Sequence, residues 1–220
     1  MSIRTVLFDL DGTLADTAPD LGFALNEVLS RHGRESLPQS EIRPVVSHGS
    51  IGLIKLGFGL VPEDEGFALV RDELLAIYAE NLANETRLFP GMEQVLADLE
   101  QSGRNWGVVT NKPAWLTEPL LERLGLSQRA ACIVSGDTLP RRKPHPDPVL
   151  LACERAGSAP HQCVYVGDAE RDVQAGHNAK MHTLVALFGY ISREDQPQSW
   201  GASALISRPE EIIVWVEHNS

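Results

Sequence analysis

Two aspartates one residue apart, Asp9 and Asp11, follow an apolar run near the start of the sequence. The run contains β-branched and aromatic residues, which predict a buried strand, and Gly12 marks its end. Side chains two positions apart lie on the same side of a strand, so both carboxylates should face one point at its carboxyl end. Open α/β sheets bind their ligands at that edge. Because two like charges repel at short range and a divalent cation relieves the repulsion, the pair predicts a metal-assisted site for an anionic group.

Polar residues also follow later predicted strands, where their side chains would meet the two aspartates. They are Thr110, Asn111 and Lys112 after one strand, Asp168, Glu170 and Asp172 after another, and Lys143 in a loop before a helix. Each has an ordinary alternative: a helix cap for Asp168, a turn for the Thr-Asn pair, and a solvated surface base for Lys143. Together they place acids, a hydroxyl and a base at successive strand ends, which favours one shared site.

Hydrophobic periodicity divides the chain into a helical insertion and an alternating part. Helices are predicted at about 16–32, 41–55 and 63–84, with no convincing strand among them. From residue 90 onward, helices alternate with strands at 106–110, 131–135, 163–167, 183–186 and 204–206, and a last helix is predicted from Pro209. This alternation predicts an α/β fold with helices on both faces of a parallel sheet. We expect residues 1–15 and 86–220 to form this core and residues 16–85 to form an all-helical cap.

The composition limits the possible partners. A hydrophobic content of 43% and a charged content of 22% are typical of a globular protein. The net charge of −11 argues against nucleic acid or an anionic membrane surface as a partner. A small anionic substrate stays compatible with it, because a bound cation and a few local bases can reverse the field inside one pocket. The ordinary alternative is that the acidity simply keeps the protein in solution.

The sequence also indicates where the protein works. No stretch approaches the roughly 18 consecutive apolar residues of a membrane span, and no basic segment with an apolar leader begins the chain. Cys132, Cys153 and Cys163 are odd in number and lack CxxC spacing, so neither a disulfide framework nor a zinc site is indicated. Their apolar neighbours favour buried thiols. We expect a cytoplasmic protein, monomeric or homodimeric, without nucleic-acid or membrane partners.

Four segments resemble, in order, the four motifs of the haloacid dehalogenase superfamily. They are Asp9-Leu10-Asp11-Gly12-Thr13-Leu14, Val108-Val109-Thr110-Asn111, Lys143-Pro144 and Gly167-Asp168-Ala169-Glu170-Arg171-Asp172. The resemblance covers essentially the whole chain. It implies a Rossmann-like, doubly wound core with a helical cap between the first and second motifs, which agrees with the periodicity.

The resemblance implies a role for each acid. Asp9 is similar to the nucleophile that attacks phosphorus and becomes an aspartyl-phosphate. Asp11 is similar to the general acid that protonates the leaving alkoxide and then activates water. Dehalogenating members lack this second aspartate, so its presence favours phosphoryl transfer. Asp168 resembles the Mg²⁺ ligand that joins the Asp9 carboxylate and the Asp11 backbone carbonyl. Asp172 resembles an acid that supports the water shell of the metal, although a helix-surface role is the alternative.

The same resemblance implies a cradle for the phosphoryl group. Mg²⁺ on one side and Lys143 on the other would cancel the repulsion between a carboxylate and a phosphate. Thr110 and the backbone amides near Asn111 and Leu10 would hold the remaining phosphoryl oxygens. Arg142 could replace Lys143 on charge alone, but the Lys-Pro pairing favours Lys143.

Substrate choice is expected to lie in the cap and near the second motif. The segment 43–50 joins two predicted cap helices, and His48 within it could bond a substrate oxygen. The ordinary alternative for a histidine beside a glycine is a turn. Lys112 follows the phosphate-binding motif closely enough to touch substrate.

Within the superfamily, the chain most resembles the phosphoglycolate phosphatase-like branch. The shared stretches are Asp16-Thr17-Ala18-Pro19-Asp20, Thr110-Asn111-Lys112-Pro113 and Lys143-Pro144-His145-Pro146-Asp147-Pro148. Two further stretches resemble the N-acetylmuramic acid 6-phosphate phosphatases of peptidoglycan recycling. These are Leu88-Phe89-Pro90-Gly91-Met92 and Gly189-Tyr190-Ile191, the latter followed by Pro197 and Trp200-Gly201-Ala202.

These resemblances imply a Mg²⁺-dependent phosphomonoesterase for a small phosphorylated metabolite. A sugar phosphate is the expected substrate, namely N-acetylmuramic acid 6-phosphate in cell-wall recycling, and 2-phosphoglycolate is the alternative. A sugar phosphomutase would use the same nucleophile but return the phosphoryl group to a sugar. A non-catalytic phosphoacceptor module is a third possibility, against which Asp11 argues because such a module needs no acid for a leaving group.

Overall fold

A six-stranded parallel sheet forms the centre of the molecule. The computed structural model describes residues 2–219. The strands of the sheet are β1 (Thr5–Phe8), β4 (Asn105–Val109), β5 (Cys132–Val134), β6 (Cys163–Gly167), β7 (His182–Ala186) and β8 (Ala204–Ile206). They lie in the order β5-β4-β1-β6-β7-β8. β1 pairs with β4 on one side and with β6 on the other. The strand order therefore switches at β1: β4 and β5 lie on one side of it, and β6, β7 and β8 lie on the other.

Alternation along β1 explains why both faces of the sheet are covered. Val6 and Phe8 pack into one hydrophobic cluster, and Leu7, between them, packs into a second one. Both clusters must be shielded from water, so helices lie on each face. The helices of the core are α5 (Met92–Gln101), α6 (Ala114–Arg123), α7 (Asp147–Arg155), α8 (Glu170–Asn178) and α9 (Glu211–His218). The expected α/β, Rossmann-like doubly wound core is confirmed.

The segment between β1 and α5 is helical, as expected, but its helices differ from the prediction. They are α1 (Ala18–Arg31), α2 (Gln39–Ile42), α3 (Gly49–Phe58) and α4 (Phe67–Glu80). The single helix predicted at 41–55 was wrong: a 3₁₀ segment, Arg43–His48, separates α2 from α3. Pro44 lacks an amide hydrogen for a longer helix, and Gly49 has a φ of 63°, which turns the chain.

A short ribbon at the base of the helical segment was not predicted. Strand β2 (Ala15–Asp16) pairs antiparallel with β3 (Arg87–Leu88), so the two chain connections to the helical segment lie side by side. Two-residue strands are too short to show a period of two, which is why the sequence pattern did not reveal them. The ribbon lies at the predicted boundaries of the cap, which themselves remain a prediction.

Two helix starts also differ from the sequence prediction. Helix α8 begins at Glu170, whereas the sequence pattern predicts a helix over 173–179, and α9 begins at Glu211 instead of Pro209. In α8 the side chain of Asp172 accepts a hydrogen bond from the Ala169 amide at 3.1 Å, which caps the first turn. This cap places Asp172 at the edge of the sheet where β1 and β6 end.

Candidate active site

Three buried carboxylates converge at the carboxyl ends of β1 and β6. Asp9 directly follows β1, Asp168 directly follows β6, and Asp172 lies in the first turn of α8. One oxygen from each lies within 4.8 Å of the others. Burial, together with the charges of Asp9 and Asp172, raises the pKa of Asp168 from 3.8 to about 7. Burial likewise raises the pKa of Asp9, although Lys143 opposes the shift.

Close approach of the backbone makes this cluster possible. Gly12 has a φ of 84°, and a Cβ atom there would lie 2.1 Å from Asp168 Oδ2. A Cβ atom on Gly189 would lie 2.5 Å from the Asp168 Cβ. The turn after β1 and the loop after β7 can therefore close around Asp168 only with glycine at these two positions.

Lys143 lies fully buried among these acids. Its Nζ is 2.9 Å from Asp9 Oδ1 and 2.9 Å from Asp172 Oδ1, and it donates to the Tyr165 hydroxyl at 2.7 Å. The side chain of Asn111 holds the Lys143 backbone from both sides, donating to its carbonyl and accepting from its amide at 3.1 Å each. Asn111 therefore positions Lys143, and its side-chain amide is already engaged.

The carboxylate of Asp11 lies apart from the three-acid cluster. Its Oδ1 accepts hydrogen bonds from Thr17 Oγ1 at 2.6 Å and from Lys112 Nζ at 2.7 Å. Burial acts to raise the pKa of Asp11, but the Lys112 ammonium and the Thr17 hydroxyl outweigh it and lower the pKa. The Lys112 ammonium also lies 4.6 Å from the ring centroid of Tyr78 on α4. The helical segment thus contacts the core through Lys112.

Ser47, in the 3₁₀ segment, contacts the acidic cluster directly. Its hydroxyl donates to Asp168 Oδ2 at 2.6 Å, and its backbone carbonyl accepts from Arg171 Nη2 at 2.6 Å. The backbone amide of Tyr190 donates to the same Asp168 oxygen at 2.9 Å. Ser47, Arg171 and Tyr190 were not predicted to be site residues, although Ser47 lies in the segment 43–50 and the other two lie in segments that resemble those of the family.

A cavity of about 630 Å³ opens beside the cluster, between the sheet edge and the helical segment. The predicted site residues that line it are Asp9, Asp11, His48, Thr110, Asn111, Lys112 and Lys143. Asp168, Asp172 and Leu10 are buried and are not among the lining residues. The Leu10 amide donates to Asp9 Oδ1 at 2.8 Å. The Leu10 amide is therefore engaged with Asp9 in this structure. All ten predicted residues lie in or against one region.

The three-acid cluster fits a hard divalent cation. Its donors are carboxylate oxygens, which Mg²⁺ prefers. Asp172 Oδ1 is buried with no hydrogen-bond partner among the described residues; it is ion-paired with Lys143, and Arg171 also attracts the Asp172 carboxylate. The side chains that would hold the metal are those of Asp9, Asp168 and Asp172. The backbone carbonyl of Asp11 as a further ligand stays a prediction.

No helix within residues 2–219 combines the length and the apolar character that crossing a bilayer requires.

Comparison with known proteins identifies the family. The sequence matches the model of the haloacid dehalogenase-like hydrolase family over residues 6–186. It is 46% identical over 209 residues to a phosphoglycolate phosphatase of Xanthomonas campestris, covering 95% of this chain and 94% of that protein. It is 39% identical over 212 residues to the N-acetylmuramic acid 6-phosphate phosphatase of Pseudomonas putida, covering 96% and 95% of the two chains.

Solved structures share the fold. A protein from Haemophilus somnus, described as a predicted phosphoglycolate phosphatase, superposes with a TM-score of 0.85 at 26% identity, and 98% of each chain is covered. CbbY from Rhodobacter sphaeroides superposes with a TM-score of 0.75 at 24% identity, covering 96% of each chain. The chain belongs to the haloacid dehalogenase-like hydrolases and is a phosphatase of that family.

Proposed function

We propose that this protein is a Mg²⁺-dependent phosphomonoesterase that works through an aspartyl-phosphate on Asp9. The observation that carries the proposal is the position of the Asp9 carboxylate. It lines the cavity, is fixed by Lys143 and the Leu10 amide, and lies beside two further carboxylates that fit a metal. In this proposal residues 1–15 and 86–220 form the catalytic core, and residues 16–85 form the cap over the cavity.

The proposed reaction has two steps. In the first, an Asp9 oxygen forms a bond to phosphorus and the bond from phosphorus to the ester oxygen breaks. Asp11 protonates the departing alkoxide, and to carry that proton it must give up its contact with the Lys112 ammonium, which lowers its pKa. In the second, Asp11 takes a proton from water, whose oxygen attacks phosphorus and releases Asp9 and inorganic phosphate. Thr110 and Lys143 hold the phosphoryl oxygens during both steps. Bound Mg²⁺ would supply charge neutralisation at the phosphoryl group.

The cavity supports a substrate larger than phosphoglycolate. A volume of about 630 Å³ lies within the range of pockets that enclose sugar-sized ligands. Its cap side includes the apolar residues Leu21, Val46, Ile51 and Leu75, which suit a carbon skeleton. The cavity therefore favours a sugar phosphate. The names of the two Pseudomonas relatives support N-acetylmuramic acid 6-phosphate as that sugar phosphate, and we propose peptidoglycan recycling in the cytoplasm as the context. The protein would act as a monomer or homodimer on this small metabolite alone.

2-Phosphoglycolate is the second candidate. The relatives from Xanthomonas and Xylella that carry the name phosphoglycolate phosphatase are 44–46% identical to this chain, which is more than the two Pseudomonas relatives show.

A substrate panel tests the proposal. Phosphate release with Mg²⁺ should be fastest from N-acetylmuramic acid 6-phosphate when it is compared with 2-phosphoglycolate and hexose phosphates. Faster turnover of 2-phosphoglycolate would select the second candidate. Asp9→Asn should abolish turnover without changing the far-ultraviolet circular dichroism spectrum. Near-wild-type turnover by that variant would refute the covalent mechanism.

A further inference from the structure

One helix of the cap contributes a continuous stripe to the cavity wall. Arg71, Leu75 and Tyr78 of α4 all line the cavity, and their spacing of four and three residues places them on one helix face. The stripe therefore runs along the cavity in a defined order. It presents a cation, an apolar side chain and a phenol.

The Tyr78 end of the stripe lies beside the proposed general acid. The ring of Tyr78 contacts Lys112, which is paired with Asp11. The Tyr78 hydroxyl is buried and has no hydrogen-bond partner among the described residues. A buried hydroxyl without a partner is costly, and a polar ligand group in the cavity would supply one. This end of the stripe therefore faces the part of the substrate nearest to the leaving oxygen.

The backbone positions of Arg71 and Tyr78 lie about 10 Å apart along the axis of α4, since each of the seven residue steps between them adds a rise of about 1.5 Å. Arg71 is exposed, and the described residues give it no ion pair or hydrogen bond. In contrast, Lys112 and Lys143, which line the same cavity, are each paired with a carboxylate. Arg71 therefore brings uncompensated positive charge to the cavity of a protein with a net charge of −11.

We propose that Arg71 is a specificity-determining residue that binds a second anionic group, a carboxylate, on the far side of a sugar-sized phosphomonoester. The proposal rests on the proposed function and adds a substrate class to it. A guanidinium pairs well with a planar carboxylate. A two-carbon substrate would hold its carboxylate near Lys112, too close to the phosphoryl group for Arg71 to reach. Leu75 would pack against the sugar between the two ends.

A matched substrate pair tests this proposal. N-acetylmuramic acid 6-phosphate and N-acetylglucosamine 6-phosphate differ by the lactyl ether, which carries the carboxylate. Arg71→Ala should lower kcat/KM roughly tenfold for the first substrate, mainly through KM, because a charge-assisted contact is lost. The values for N-acetylglucosamine 6-phosphate and 2-phosphoglycolate should change less than about twofold. Arg71→Lys should restore part of the loss by keeping the charge.

Two control variants distinguish the alternatives. Lys55→Ala removes a positive charge from an exposed position of α3 outside the cavity, and it should leave all three values unchanged. Arg142→Ala tests the exposed arginine that the core contributes to the same cavity. The proposal would be overturned if Arg142→Ala lowered kcat/KM for N-acetylmuramic acid 6-phosphate tenfold while Arg71→Ala did not change it. So would an equal loss for both sugar phosphates in Arg71→Ala. If the wild-type protein hydrolyses neither sugar phosphate, the result refutes the proposed sugar-phosphate substrate itself, and with it the role of Arg71.

Discussion

Replacing Lys143 by methionine should destabilise the protein strongly. The Lys143 side chain is 0% exposed, and those of its partners Asp9 and Asp172 are 4% and 1% exposed. Methionine fills much of the same volume but removes the ion pairs of two buried carboxylates and leaves them the attraction of Arg171. Removing one member of a buried ion pair costs about 3–5 kcal/mol. For a chain of this size, the loss corresponds to a fall in Tm of about 6–20 °C.

The measurement is urea unfolding and thermal unfolding of the metal-free protein in EDTA at pH 7.5. Arg142→Met is the matched control, because Arg142 is the neighbouring residue, is exposed, and has no ion pair with any residue of the range 2–219. That variant should change the free energy of unfolding by less than about 0.5 kcal/mol. Mg²⁺ places positive charge beside the same carboxylates, so it should raise the Tm of Lys143→Met more than that of the wild type.

A loss below about 1 kcal/mol for Lys143→Met, or a loss equal to that of Arg142→Met, would contradict this reasoning. It would mean that the buried acids are neutral in the folded protein and that Lys143 does not balance them.

Two further predictions concern groups around the acidic cluster. The folded-state pKa of Asp168 is raised to about 7, so the metal-free folded protein binds more protons than the unfolded chain between about pH 4 and 7. Its free energy of unfolding should therefore fall as pH rises through this window, by an amount on the order of 4 kcal/mol. Urea unfolding at several pH values measures this fall, and Asp168→Asn should remove most of it. The Tyr190 hydroxyl accepts from the Ala18 amide at 2.8 Å and donates to Asp16 at 2.9 Å. Tyr190→Phe leaves both groups without this partner and should cost about 1–3 kcal/mol in urea unfolding, whereas an unchanged midpoint would show that another group replaces the hydroxyl.

The sequence was sufficient for the architecture of the core. An apolar run ending in two acids and the alternation of helices and strands after residue 90 are local patterns, with periods that a few neighbouring residues reveal. They predicted the β1 and β6 strand ends that bring Asp9 and Asp168 together. The helical segment was predicted as a class, but its break at Arg43–His48 was missed, since two short helices and one longer helix share the same apolar spacing.

The tertiary structure decided how the site residues are paired. Lys143 is buried against Asp9 while Arg142 is exposed, although both are bases in one loop. Ser47 reaches Asp168 across 121 positions of sequence, and Lys112 reaches Asp11 across 101. The hydrophobic periodicity of the sequence does not reveal such contacts, because they depend on how the helical segment lies over the sheet. Residue order therefore determined which strand ends carry the chemistry, and folding determined which charge neutralises which.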